Sequence, residues 1–391
     1  MSEGAAFSDS LLSRRIVVCV GCGGVGKTTV AASIALAAAR AGRNALVITI
    51  DPARRLADAL GVELTGEAQR VDDERVGTAP GSLSALMLDM KGTFDDLVTR
   101  LAESEDARQR ILDNRIYQHV SDALAGSAEY SAMEKVHQMA ASGDYDFIVV
   151  DTPPAQHALD FLDAPQKMVE FLDSRLVSGL IHPAFAAGRF GFKAFQKGTR
   201  RVLQRVERIT GVGFIEDVSE FLLAFEGMAE GFRNRATHVR ELLMGPESSF
   251  VLVTGPAHES IAQAEGFLER LESYEVPLRG IIANRVREWP GASDEGPCPH
   301  PVQATTSHTA TLAQALADAG AGPRAHAAAE AAVSAAAGYA ALVHRDEEAL
   351  APLRNETRAS SRFYRQIPEL AYDVHDLESL DRIAYYVFER T

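Results

Sequence analysis

Eight consecutive residues constrain this chain more than any other feature. Gly21-Cys22-Gly23-Gly24-Val25-Gly26-Lys27-Thr28 reads G-x-x-x-x-G-K-[ST], the Walker A pattern of a phosphate-binding loop. It lies between a β-branched run, Ile16 to Val20, and an alanine-rich stretch, Thr29 to Arg40, which ends before Gly42. Strand, glycine loop and helix is the context that gives the pattern meaning. The glycines let the backbone curl so that successive N–H groups point at phosphate oxygens, and the helix N-terminus adds the positive end of its dipole. Lys27 is placed to reach the β- and γ-phosphates, and the Thr28 hydroxyl to hold Mg²⁺. The candidate nucleotide-binding residues are therefore Gly21, Cys22, Gly23, Gly24, Val25, Gly26, Lys27, Thr28 and Thr29, with ATP and Mg²⁺ as cofactors.

Further apolar runs predict the sheet. Ala45 to Ile50 leads to Asp51, Ala85 to Leu88 follows, and Phe147 to Val150 leads to Asp151. Phe250 to Val253 leads to Thr254, Gly280 to Ala283 to Asn284, and Phe363 to Leu370 reads as a last strand. Continuous apolar strands separated by helical stretches indicate an α/β fold, a doubly wound and mainly parallel P-loop sheet covered on both faces. Ligands in such sheets collect at the carboxyl ends of the strands, where Asp51, Asp151, Thr254 and Asn284 fall.

The pattern changes between these strands. Phe171, Phe185, Phe190, Phe192, Phe195, Phe214, Phe221 and Phe225 recur at helical spacings with no strand signal. Residues 165–245, joined by 93–140, are read as a helical insertion within a single domain spanning 1–391. Most of these aromatics are expected to form that subdomain's core, by ordinary helical amphipathicity, rather than a binding groove. Residues 291–306 are polar and rich in Gly and Pro, hence a loop. Ala310 to Arg354 is helical by propensity, and Asp376 to Phe388 is a closing helix.

Asp51 and Asp151 carry the remaining chemistry. A carboxylate ending a buried strand beside a P-loop can hold Mg²⁺, directly or through water, or orient the attacking water. Acids at strand ends also serve as helix caps and turn formers, so the two readings compete until a P-loop stands upstream. Thr28, Asp51 and Asp151 are the candidate metal residues, and Asp51 and Lys27 the candidate catalytic ones.

With 54 acidic against 39 basic residues the chain carries a formal charge of −15, which disfavours nucleic-acid and anionic-membrane partners. No stretch approaches the ~20 apolar residues that cross a bilayer, and residues 1–13 carry acids without an apolar core, so a cytoplasmic location is expected. Three cysteines, Cys19, Cys22 and Cys298, suit a reducing compartment. Cys19-Val20-Gly21-Cys22 is formally C-x-x-C, but one member lies in a strand and the other in the phosphate loop, which suits packing better than a tetrahedral metal site.

Taken together, the Gly21 loop, Asp51-Pro52-Ala53, the Asp151 segment through His157, and Asn284-Arg285 resemble the ArsA/GET family of ATPases, which comprises arsenical-pump ATPases and ATPases that deliver tail-anchored membrane proteins. Asp51-Pro52-Ala53-Arg54-Arg55-Leu56 and Ala158 to Pro165 look most similar to bacterial GET-like proteins of actinobacteria and their relatives. The resemblance implies that Asp51 is the switch I aspartate that polarises water and Asp151 the switch II residue near Mg²⁺. It makes His157 a switch II histidine and Asn284 the adenine-reading asparagine, and places Ile367 and Pro368 in the segment packing on the base. It also implies a nucleotide-gated dimer whose helical subdomains form a hydrophobic groove for a client helix.

One position departs from that pattern. Cys22 stands where family members usually carry a lysine that reaches the partner's phosphates, and a cysteine supplies no charge there. Either hydrolysis is slow, or a lysine-bearing paralogue pairs with this chain in place of a homodimer. An energising subunit for anion or metalloid efflux is the rival reading, disfavoured by the scarcity of thiols. A partitioning or cell-division switch is disfavoured by the acidic charge and by a C-terminus unlike a basic amphipathic helix.

Overall fold

The computed structural model describes residues 10–51, 53–71, 76, 81–114, 117–118, 128–153, 214–290, 309–360 and 362–389. The chain opens with β1 (Ile16–Gly21), α1 (Lys27–Arg40), β2 (Asn44–Thr49) and α2 (Arg55–Leu60). Then come β3 (Gln69–Arg70), β4 (Ser82–Met87), α3 (Met90–Leu101), α4 (Glu105–Leu112), α5 (Ala128–Ser142) and β5 (Phe147–Asp151). After α6 (Phe214–Met244) follow β6 (Ser248–Thr254), α7 (His258–Ser273) and β7 (Leu278–Val286). The described chain closes with α8 (Thr309–Leu316), α9 (Ala325–Ala359), β8 (Phe363–Pro368) and α10 (Leu377–Phe388).

The eight strands form one sheet in the order β3-β4-β2-β5-β1-β6-β7-β8. Every pairing is parallel except β3 with β4. That short antiparallel edge has no apolar run to announce it. Strand β1 lies centrally between β5 and β6, where the winding reverses, so the loop after β1 opens into the crevice where such sheets bind ligands. The register sets Asp151 level with Cys19 on one side and Thr49 on the other.

Both faces are covered, as continuous apolar strands require. Val17, Cys19, Val47 and Val149 are buried with Ile34, Leu380 and Ile383 of α1 and α10. Ile16, Val18, Leu46 and Ile148 are buried on the other side, in one apolar layer with Phe94, Met133, Phe232, Leu268 and Leu350. Burying each such side chain stabilises the fold by about 1.5–3 kcal/mol. Helices α3, α5 and α6 thus share the sheet's own core. Phe94 stacks on Tyr117 at 6.2 Å and packs on Phe232 at 5.9 Å between centroids. Glu134 of α5, only 3% exposed, accepts hydrogen bonds from Arg235 of α6 at 2.7, 2.9 and 3.0 Å. Residues 165–213 of the expected insertion, the 291–306 loop, His157 and Cys298 lie outside the described residues.

The helix expected over Ala310 to Arg354 is two. A π-turn (Ala317–Ala321) and a 3-10 turn (Gly322–Arg324) separate α8 from α9. Gly320 and Gly322 take φ of 93° and 53°, and Pro323 follows, so the Gly-Ala-Gly-Pro run overrides the alanine propensity around it. Among the described residues, no helix is long and apolar enough to cross a membrane.

Candidate functional site

The phosphate loop leaves β1 at Gly21 and enters α1 at Lys27. Two glycines are obligatory on steric grounds. A Cβ on Gly21 would lie 2.0 Å from the Val253 carbonyl oxygen of β6, and one on Gly26 would lie 2.2 Å from Asn284 Nδ2. Gly26 also takes φ 90°, the left-handed region, as the residue capping α1. Gly23 and Gly24 are exposed, Val25 is buried, and Thr28 and Thr29 are half-buried at the first turn.

Lys27 is nearly buried and curls back over its own loop, its Nζ donating to the Cys22 carbonyl at 2.8 Å. Burial pushes the ammonium pKa down, while the Asp151 carboxylate pushes it up. The Thr28 hydroxyl donates to Asp151 Oδ2 at 2.7 Å, and the Thr49 hydroxyl donates to the same oxygen at 3.0 Å. Asp151 is 1% exposed, and its Oδ1 is buried with no hydrogen-bond partner among the described residues. Desolvation lifts this carboxyl to about 6, against the opposing hydroxyl donors and Lys27. A buried carboxylate oxygen without a donor, beside the P-loop hydroxyl, fits the oxygen-rich environment that Mg²⁺ takes.

Asp51 is half-buried just beyond β2, and its Oδ1 accepts from the Ala53 amide at 3.0 Å, a turn-forming contact. It lies close enough for its charge to favour the Lys27 ammonium and disfavour a charged Asp151. Thr152 ties the start of the next segment to β1, donating to the Cys19 carbonyl at 2.8 Å.

On the opposite flank, the β7–β8 register breaks between Ala283 and Val286. The break turns Asn284 onto the P-loop, where Nδ2 donates to the Val25 carbonyl at 2.8 Å and Oδ1 accepts from the Arg285 amide at 3.0 Å. In this conformation the Asn284 amide holds the loop. Ile367 and Pro368 end the neighbouring β8, with Pro368 paired to Val286. Ile367 is fully buried in the α1 layer, which leaves only the half-buried Pro368 at the surface of that strand end. Cys22 also turns inward: it is 3% exposed, with Sγ 3.7 Å from the Ser260 carbonyl of α7. Cys19 is fully buried in β1, and burial pushes both thiol pKa values up. Among the described residues no group of three His, Cys, Asp or Glu side chains gathers as a metal site.

The tertiary structure adds Thr49, Thr152 and Arg285 to this site. Thr49 was visible only as a polar residue inside the apolar run Ala45 to Ile50, and Arg285 only as the neighbour of Asn284.

The family model described as anion-transporting ATPase matches residues 14–311. Among curated proteins, the chain is 27% identical over 269 residues to the ATPase get3 of Schizosaccharomyces japonicus, covering 68% of this chain and 72% of that protein. It is 25% identical over 289 residues to the ATPase GET3 of Malassezia globosa, covering 74% and 76%. With the ATPase get3 of Aspergillus terreus the identity is 28% over 271 residues, covering 68% and 71%. These fungal relatives bear on the family and not on the narrower bacterial placement.

Proposed function

Since this chain belongs to the anion-transporting ATPase family and is an ATPase, we propose that it is a Mg·ATP-driven dimeric switch that handles a hydrophobic protein client. The observation that carries the catalytic half is the meeting of Thr28 and Asp151 under the P-loop, with one carboxylate oxygen that has no donor among the described residues. Gly21 to Thr29 hold the nucleotide, and Lys27 releases the Cys22 carbonyl to meet its terminal phosphates. Thr28 and Asp151, with Asp51 nearby, hold Mg²⁺, which supplies charge neutralisation on the phosphate oxygens when bound. Asp51 exchanges its turn contact for the attacking water. Asn284 reads the adenine, which requires its amide to leave Val25, and Pro368 packs on the base.

The client half rests on the relatives named get3 and on the phenylalanine-rich stretch of the sequence. Its client class is an apolar helix such as a membrane anchor. The description of the family model favours a second reading, an energising subunit for anion efflux.

The inward Cys22 side chain supports pairing with a lysine-bearing paralogue, because position 22 presents neither charge nor reach to a partner. ATP turnover by the purified chain tests both halves of the catalytic reading. Weak turnover is expected, raised at least ~10-fold by Cys22→Lys, since a phosphoryl-directed cation is worth several kcal/mol, and abolished by Lys27→Ala. Turnover that survives Lys27→Ala sinks the site. Brisk wild-type turnover indifferent to Cys22→Lys sinks the paralogue.

A further inference from the structure

Arg285 is one of two described non-glycine residues with positive φ, at 60°. A left-handed arginine costs stability, and such outliers persist where surrounding structure and function hold them. The β7–β8 register break that turns Asn284 inward leaves Arg285 exposed beside the loop, its Nη1 donating to the Gly24 carbonyl at 3.3 Å. Among the described residues the hydrogen-bond partner of this guanidinium is the Gly24 carbonyl, and no carboxylate lies within ion-pair distance of it. In a chain with 54 acids to 39 bases, an exposed guanidinium with no carboxylate partner among the described residues stands out at the mouth of a phosphate loop. Position 22 of the same loop presents an inward-facing thiol and no charge.

We propose that Arg285 is a nucleotide-positioning residue whose guanidinium supplies positive charge to the polyphosphate at the loop's open side. The inference rests on the ATP-switch reading and deepens it. Guanidinium is always charged and carries five donors, of which the Gly24 contact uses one. An effect exerted through charge grows with the charge of the ligand, so ATP is favoured over ADP. A role confined to bracing the loop would weaken both nucleotides alike.

Binding of fluorescent ATP and ADP analogues, with Mg²⁺ at low ionic strength, tests this in wild type, Arg285→Gln, Arg285→Lys, Arg285→Gly and Lys27→Ala. Loss of a charge-assisted contact predicts that the Gln and Gly variants weaken ATP about 10-fold and ADP about 3-fold, with Lys within about 3-fold of wild type. Arg285→Gly, which relieves the positive φ, is expected to melt at or above the wild-type temperature while losing ATP affinity. That separation of stability from binding is not what a structural brace produces. Equal losses for ATP and ADP, no loss at all, or a lysine variant no better than glutamine would overturn the proposal. Wild type that binds neither nucleotide, or Lys27→Ala without effect, would instead overturn the ATP-switch reading beneath it.

Discussion

Replacing Asp151 by asparagine removes a charge from a place that water cannot reach. The carboxyl is 1% exposed and is held near 6, up from 3.8. Below about pH 4 it is protonated in both folded and unfolded chains and adds no pH dependence. From there to about pH 6 the unfolded chain gives up the proton while the folded chain keeps it, so native stability falls. Above that the loss is constant. The gap between 3.8 and about 6 corresponds to about 3 kcal/mol. The substituted side chain would be a neutral acceptor for the Thr28 and Thr49 hydroxyls, but its amide nitrogen would occupy the position of the unpartnered Oδ1. That offset is about 1–3 kcal/mol and does not vary with pH. Denaturant unfolding of wild type and Asp151→Asn, with chelator and without nucleotide, should therefore diverge by about 3 kcal/mol between pH 4 and pH 7 in favour of the variant. The sign and slope matter more than the intercept. A stability difference that stays flat across that range would refute the claim that burial of this carboxylate outweighs the hydroxyl donors and Lys27 that oppose it.

Two further perturbations probe the scaffold. Gly26→Ala places a methyl at φ 90° and 2.2 Å from Asn284 Nδ2, so stability should fall by about 2 kcal/mol in denaturant unfolding, with weakened ATP binding. Arg235→Met strands Glu134, 3% exposed, and should cost about 3 kcal/mol, whereas Glu134→Leu with Arg235→Met should restore most of it in the same assay.

Much of the fold was legible because it is written in local chemistry. The strand cores, the P-loop and the helix after it announce themselves by β-branched runs, glycine spacing and alanine content, all short-range properties. Element ends were less legible. β7 runs from Leu278 to Val286, well past Gly280 to Ala283, because pairing with β6 and β8 extends a strand beyond its apolar centre. β3 exists only because β4 offers an edge. The single alanine-rich helix broke where glycine and proline outweighed propensity.

The site divides in the same way. Residue types and spacing marked Gly21 to Thr29 as a phosphate loop and put Asp51, Asp151 and Asn284 at strand ends, since those positions follow from where apolar runs stop. Which of them meet was settled by strand order. β5 lies between β1 and β2, so Asp151 stands between Cys19 and Thr49 and gathers the Thr28 and Thr49 hydroxyls from segments about a hundred residues away in sequence. The inward turn of Cys22, the grip of Asn284 on Val25 and the left-handed Arg285 follow from contacts with β6, α7 and β8. Sequence determines what each residue can do. Only the packing of distant strands decides which groups lose their water together, and that shared desolvation is what turns a set of polar side chains into a site.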